Sequence, residues 1–72
     1  MPVARVTELS ATSEQSFEDA INQGVRRATN TLRNVESAWI KDMNVMVENG
    51  NISAYKVNMA ITFVLEEGEQ PG

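Results

Sequence analysis

The chain has 72 residues, no cysteine, no histidine, and a net charge of −4 from six basic and ten acidic side chains. Disulfides, thiolate metal sites, the usual zinc sites and histidine-based acid–base chemistry are thereby excluded, and the acidic balance argues against a nucleic-acid partner, which needs a basic stripe. A core built from so short a chain supplies only a few kcal/mol, so oligomerisation is the staple that remains.

In chain order, Val3 to Ser10 reads as a short strand from its β-branched content, with Val6 and Leu9 as apolar anchors. Ser13, or Thr12 with Gln15 three residues on, reads as a helix N-cap. The helix is expected from about Glu14 to Leu32, with Glu14, Glu18 and Asp19 at its positive end. Phe17, Ala20, Ile21, Gly24, Val25, Ala28 and Leu32 form a stripe that follows the 3.6-residue period. Gly24 costs about 1 kcal/mol against Ala inside a helix, so its place in the stripe predicts close approach to a sheet. Arg26, Arg27 and Arg33 are placed near the helix C-terminus, where they meet the dipole; this is preferred to phosphate binding. Asn34 suits a left-handed helix end.

Val35 to Leu65 reads as two strands around Asn49-Gly50, the pair that a type I′ turn favours because both central residues need φ > 0. Arms of about 15 residues would reach roughly 45–50 Å if straight, so they must curl or project. An uninterrupted register from the turn pairs Glu48 with Asn51, Val45 with Ala54 and Ile40 with Met59. One face then carries Tyr55, Val57, Met59, Ile61, Phe63 and Leu65 with Ala38, Ile40 and Met46, and faces the helix. The other carries Trp39, Met43, Val45, Val47, Ile52, Ala54 and Ala60 among Ser37, Lys41, Lys56, Asn58 and Thr62. That mixture is too apolar for water and too polar for a second core, which points to an interface or a ligand surface. Glu66 to Gly72 reads as an acidic, flexible tail.

The expected architecture is α+β, a β-α-β-β single domain over 1–72 with a three-stranded antiparallel sheet on one helix. No apolar run approaches the 18 or so residues that span a membrane, and the N-terminus has no apolar signal region; a cytoplasmic protein without a membrane partner is the expectation. No catalytic residue emerges. Ser10 and Ser13 have no base, Glu18-Asp19 and Glu66-Glu67 suit a helix end and a solvated tail, and Lys41 and Lys56 read as surface or interface charges. An enzyme is not expected. Trp39, the single Trp, reads first as an interface anchor and second as a stacking platform for a planar ligand.

The segments VTELSATS, FEDAI, RATNTLRNV, VENG and YKVNMAITFVLE, in this order and spacing, resemble the dodecins over nearly the whole chain. The resemblance implies a hollow homododecamer that stores or sequesters flavin without turning it over. It also maps the flavin site. Dodecins that bind flavin typically have a stacking Trp where this chain has Ser37, a Gln where it has Lys56, and in many bacterial members an Arg where it has Asn44. Trp39 is displaced from the stacking position by two residues, on the same strand face and about 6.6 Å along. Ser37, Trp39, Asn44 and Lys56 are therefore the candidate cofactor-binding positions, and weak or absent binding of riboflavin, FMN and FAD is expected. A basic residue at the Lys56 position is similar to a divergent branch associated with calcium. The alternative is a structural or calcium-binding assembly, with Glu8, Asp19, Asp42 and Glu48 as carboxylates that symmetry gathers from several subunits.

Overall fold

The structure, a computed structural model, describes residues 3–65; the tail expected over 66–72 lies outside them. Its elements are β1 (Ala4–Ser13), α1 (Phe17–Thr31), β2 (Val35–Glu48) and β3 (Asn51–Val64). The sheet order is β1-β3-β2, both pairings antiparallel, so the last strand is central and the helix connects the two edges. This is the expected β-α-β-β fold.

The first strand runs three residues beyond the expected Ser10 because Ala11, Thr12 and Ser13 continue the ladder opposite Val57, Lys56 and Tyr55. The helix accordingly starts later. Its N-cap is Ser16, whose hydroxyl accepts from the Asp19 N–H at 3.0 Å, and not Ser13 or Thr12. Ser13 instead closes the strand end: its buried hydroxyl accepts from the Gln15 N–H at 2.9 Å and donates to the Asp19 carboxylate at 2.6 Å. Both serines have cap chemistry, and the tertiary pairing of β1 decides between them. The helix ends at Leu32, whose N–H reaches the Ala28 carbonyl at 2.8 Å. Its last turn holds no basic residue, so Arg26 and Arg27 sit too far from the end to meet the dipole there. Asn34 is left-handed (φ 62°), two residues past the cap, where it turns the chain into β2.

Ala20, Gly24 and Ala28 are the buried helix positions, packed on Val57, Met59 and Ile61 of the central strand. Phe17 meets Tyr55 edge to face, ring centroids 5.1 Å apart. A Cβ on Gly24 would lie 2.9 Å from the Met59 methyl and 3.3 Å from Leu9 Cδ1, so the glycine does permit the close approach its position predicts. Gly24→Val is expected to destabilise the fold by about 1–3 kcal/mol through overpacking, outweighing the few tenths that Val gains over Gly in helix propensity. Urea or thermal unfolding measures it, and unchanged stability would contradict the packing.

The hairpin turn is as expected, with Asn49 at φ 53° and Gly50 at φ 80°. The register is not uniform. Ile40 pairs with Met59 and Asp42 with Asn58, which makes Lys41 an extra residue on β2; Met46 pairs with Ala54 and Val47 with Ile52, which makes Ser53 an extra residue on β3. Between these bulges the pairing is moved by one residue. Val45 therefore pairs with Tyr55, not Ala54, and Met43 with Val57, so both belong to the helix side of the sheet. Met46, beside Ala54, belongs to the open side and not to the core. Each extra residue reverses the inside–outside alternation beyond it, which residue-type patterning does not display. Bulges bend the ribbon round the helix, yet it still projects: the described chain measures 52 × 18 × 17 Å, with a radius of gyration of 14.9 Å against about 11 Å for a compact chain of this length.

Candidate functional site on the open face of the sheet

The helix covers one face of the sheet, and among the described residues nothing covers the other. The pairings arrange that open face in rows across β2, β3 and β1. Ser37 stands with Thr62 and Val6, Trp39 with Ala60 and Glu8, Asp42 with Asn58 and Ser10, and Asn44 with Lys56 and Thr12. All four candidate positions, Ser37, Trp39, Asn44 and Lys56, thus share one face. They are not gathered into one pocket. Ser37 and Trp39 occupy adjacent rows and Asn44 pairs directly with Lys56, but the two ends of the set are separated by six residues of β3, roughly 20 Å.

Trp39 is 76% exposed. It lines a shallow depression of about 340 Å³ with Glu8, Lys41 and Ala60, and a second of about 320 Å³ adjoins it, lined by Glu8, Leu9, Ser10, Lys41, Asp42 and Asn58. The bulge turns Lys41 and Asp42 outward together. The Lys41 ammonium crosses β3 to donate to Glu8 at 2.8 Å, and the Asn58 amide donates to Asp42 at 2.6 Å. The hydrogen bond to Glu8, then its charge, raises the Lys41 pKa above the ordinary 10.5, with Asp42 assisting against desolvation. Raised in the fold, it contributes stability below the ordinary value and loses it as pH climbs through the folded value, so the ion pair is intact at neutral pH. Glu8 was singled out in the sequence only as a carboxylate. Its place beside Trp39 depends on the β1–β3 register, for which no local signal exists.

Of the other acidic candidates, Asp19 accepts from Ser13 and from the Gln23 amide, each at 2.6 Å, and Glu48 ends β2 beside the turn. The Ser13 hydrogen bond, then that from Gln23, with a smaller effect of Arg26, holds the Asp19 carboxyl below its ordinary 3.8 against a desolvation that opposes them. A depressed folded pKa contributes stability above the unfolded value, lost as pH falls through the folded one. Asp19→Asn is therefore expected to flatten the fall in melting temperature below about pH 4, and an unchanged acid limb would contradict the assignment. No group of three or more carboxylates able to hold a metal exists among the described residues of one subunit, and no described helix is long and apolar enough to cross a membrane.

The dodecin family profile matches residues 3–66. The chain belongs to the dodecin family. A dodecin of Thermus thermophilus is 32% identical over 65 residues, covering 90% of this chain and 94% of that one. A Thermus thermophilus crystal structure aligns with a TM-score of 0.87 at 31% identity, over 93% of this chain and 98% of the other. Dodecin from Streptomyces davaonensis aligns at 0.86 and 30% identity, over 92% and 97%. A calcium dodecin of Mycobacterium tuberculosis, described as calcium-chelating with a novel calcium-binding site, aligns at 0.78 and 25% identity, over 97% and 99%. The resemblance read from VTELSATS to YKVNMAITFVLE is thus a true family relation, and the fold it implied is the dodecin fold.

Proposed function

We propose that this dodecin assembles into a homododecameric shell and serves storage or sequestration, not catalysis, with flavin binding that is weak or lost. The observation that carries the reading is the uncovered sheet face: Trp39 is 76% exposed, Val6 61% and Met46 42%, on a subunit whose fully buried core is only a handful of side chains. An apolar face of this kind needs a partner, and in a homo-oligomer a second copy of the subunit supplies one through the same patch on both sides of the contact. The spread of Ser37, Trp39, Asn44 and Lys56 over roughly 20 Å supports ligand contacts drawn from more than one subunit. Native mass spectrometry is expected to give the dodecamer, and a stable monomer would overturn it. Flavin fluorescence titrated with the purified protein is expected to show affinity no better than micromolar; submicromolar binding would mean that Ser37 and Lys56 matter less than their chemistry suggests.

A second reading, ion binding without an organic ligand, is favoured by the likeness to the calcium dodecin. Calcium takes about six to eight oxygens, so the acidic candidates must be pooled across subunits. Glu8, Asp19 and Asp42 already accept side-chain hydrogen bonds that calcium would displace, whereas Glu48 has no such partner among the described residues. Calorimetry with calcium and the intact particle decides it: no heat of binding removes the reading.

A further inference from the structure

We propose that the hairpin turn is a self-modification site: Asn49 deamidates through a cyclic imide, with Asn51 as the positioning residue that activates the Gly50 nitrogen. The reaction needs neither a ligand nor the open face of the sheet. Of the seven asparagines in the chain, Asn49 alone precedes a glycine. The nucleophile is the backbone nitrogen of the following residue, and only glycine puts no Cβ in the way of ring closure. The surroundings are open as well, since a Cβ built on Gly50 would meet nothing within 4 Å. Glu48, Asn49, Gly50 and Asn51 are all exposed. Neither the Asn49 side-chain amide nor the Gly50 N–H has a hydrogen-bond partner among the described residues, so both reacting groups are unengaged.

The Asn51 side-chain amide donates to the Asn49 carbonyl oxygen at 3.4 Å. That oxygen belongs to the same peptide group as the Gly50 nitrogen. A donor on it stabilises the negative charge left when the nitrogen loses its proton to solvent base. The contact spans two residues, so it survives local opening of the ladder. The deprotonated Gly50 nitrogen then attacks Asn49 Cγ. The N–Cγ bond forms, the Cγ–Nδ2 bond breaks, and Nδ2 takes a proton from water and leaves as ammonia. A second step opens the ring with water, at Cγ to give aspartate or at the Asn49 backbone carbonyl to give isoaspartate. One water is consumed and one ammonia released, with no change of oxidation state. Ring closure needs a rotation about the Asn49 Cα–C bond that the type I′ turn does not hold, so the tip opens first. Opening costs little there, because the last apolar pair of the ribbon, Val47 and Ile52, is 61% and 55% exposed. Aspartate keeps the backbone of the turn. Isoaspartate runs the chain through Cβ and adds a backbone atom, so a two-residue turn no longer closes Glu48 on Asn51.

The test is incubation of the full-length protein at mildly alkaline pH in water enriched in heavy oxygen, followed by peptide mapping. Heavy oxygen is expected in the peptide that carries Asn49, as aspartate and isoaspartate, well ahead of the other six asparagines. Asn51→Ala is expected to slow the reaction by about threefold or more, the effect of one lost hydrogen bond. Hydrogen exchange at the Asn51 N–H, followed in both proteins, separates this loss of activation from any change in how often the tip opens. Label spread evenly over the asparagines, no label at Asn49, or an Asn51→Ala protein that reacts as fast as the native one at equal opening would overturn the proposal. Isoaspartate-containing protein is expected to melt below Asn49→Asp, which has the same added charge on an intact backbone. Equal melting temperatures would show that the turn closes on either backbone and would overturn the structural effect.

Discussion

Replacing Ser37 with Trp and Lys56 with Gln together is expected to raise riboflavin affinity by about a hundredfold. Two losses at these positions account for the weak binding proposed for the native chain. Ser37 offers no aromatic face, and stacking of this type contributes about 0.5–1.5 kcal/mol beyond burial. Lys56 is a donor only, where a Gln amide both donates and accepts; a ring edge left with one unmet partner loses roughly 1–3 kcal/mol when buried. At about 1.4 kcal/mol per tenfold, restoring both reaches two decades. The geometry adds a sharper condition. Ser37 pairs with Thr62, six residues of β3 from Lys56, so one ring on one subunit does not span the two positions. The combined gain therefore depends on assembled protein, with the two positions supplied by different subunits. Single variants should each yield part of the gain, summing in log affinity. A double variant that binds no better than native protein would refute the mapping of these positions.

The helix and the turn were legible because their determinants are local. The stripe from Phe17 to Leu32 needs only the 3.6-residue period, and Asn49-Gly50 needs only the steric demands of positive φ. The face of Trp39 was legible too, since Ile40 does pair with Met59 as a uniform register from the turn predicts. Errors began where pairing is non-local. Lys41 and Ser53 carry no composition that marks a bulge, yet they turn Met43, Val45, Val47 and Ile52 toward the helix side and Met46 away from it. Because Lys41 and Ser53 lie on opposite strands, their shifts cancel, which is why the pairing is correct from Ser37 to Ile40 and again at Val47 and Glu48 and wrong between them; a third extra residue, Glu36, shifts it once more, so that Val35 pairs with Phe63 and not with Val64. The candidate site shows the same division. Ser37, Asn44 and Lys56 follow from family alignment along one chain segment, whereas the Glu8–Lys41 pair joins residues 33 positions apart through the β1–β3–β2 order.

Trp39→Asp is expected to dissociate the particle while leaving the subunit folded. In the isolated subunit the indole is 76% exposed. A Trp side chain buries up to about 250 Å², so at most roughly 190 Å² is still available, worth about 5 kcal/mol per subunit at ~25 cal/mol per Å² as an upper figure. The substitution removes that term and sets a carboxylate beside Glu8, whose one cation, Lys41, is already engaged. Covering the face with another subunit then desolvates a charge without its own partner, a cost of several kcal/mol. Neither effect touches the helix–sheet core, because Trp39 and Ala60 point away from it. Val45→Asp makes the contrast. It stands opposite Tyr55 on the helix side, where Tyr55 meets Phe17, so its expected result is loss of helical circular dichroism along with assembly. Native mass spectrometry and circular dichroism on the two variants separate these outcomes. A Trp39→Asp protein that remains dodecameric would show that the open face is not the subunit interface, and a folded, assembled Val45→Asp protein would contradict the pairing of Val45 with Tyr55.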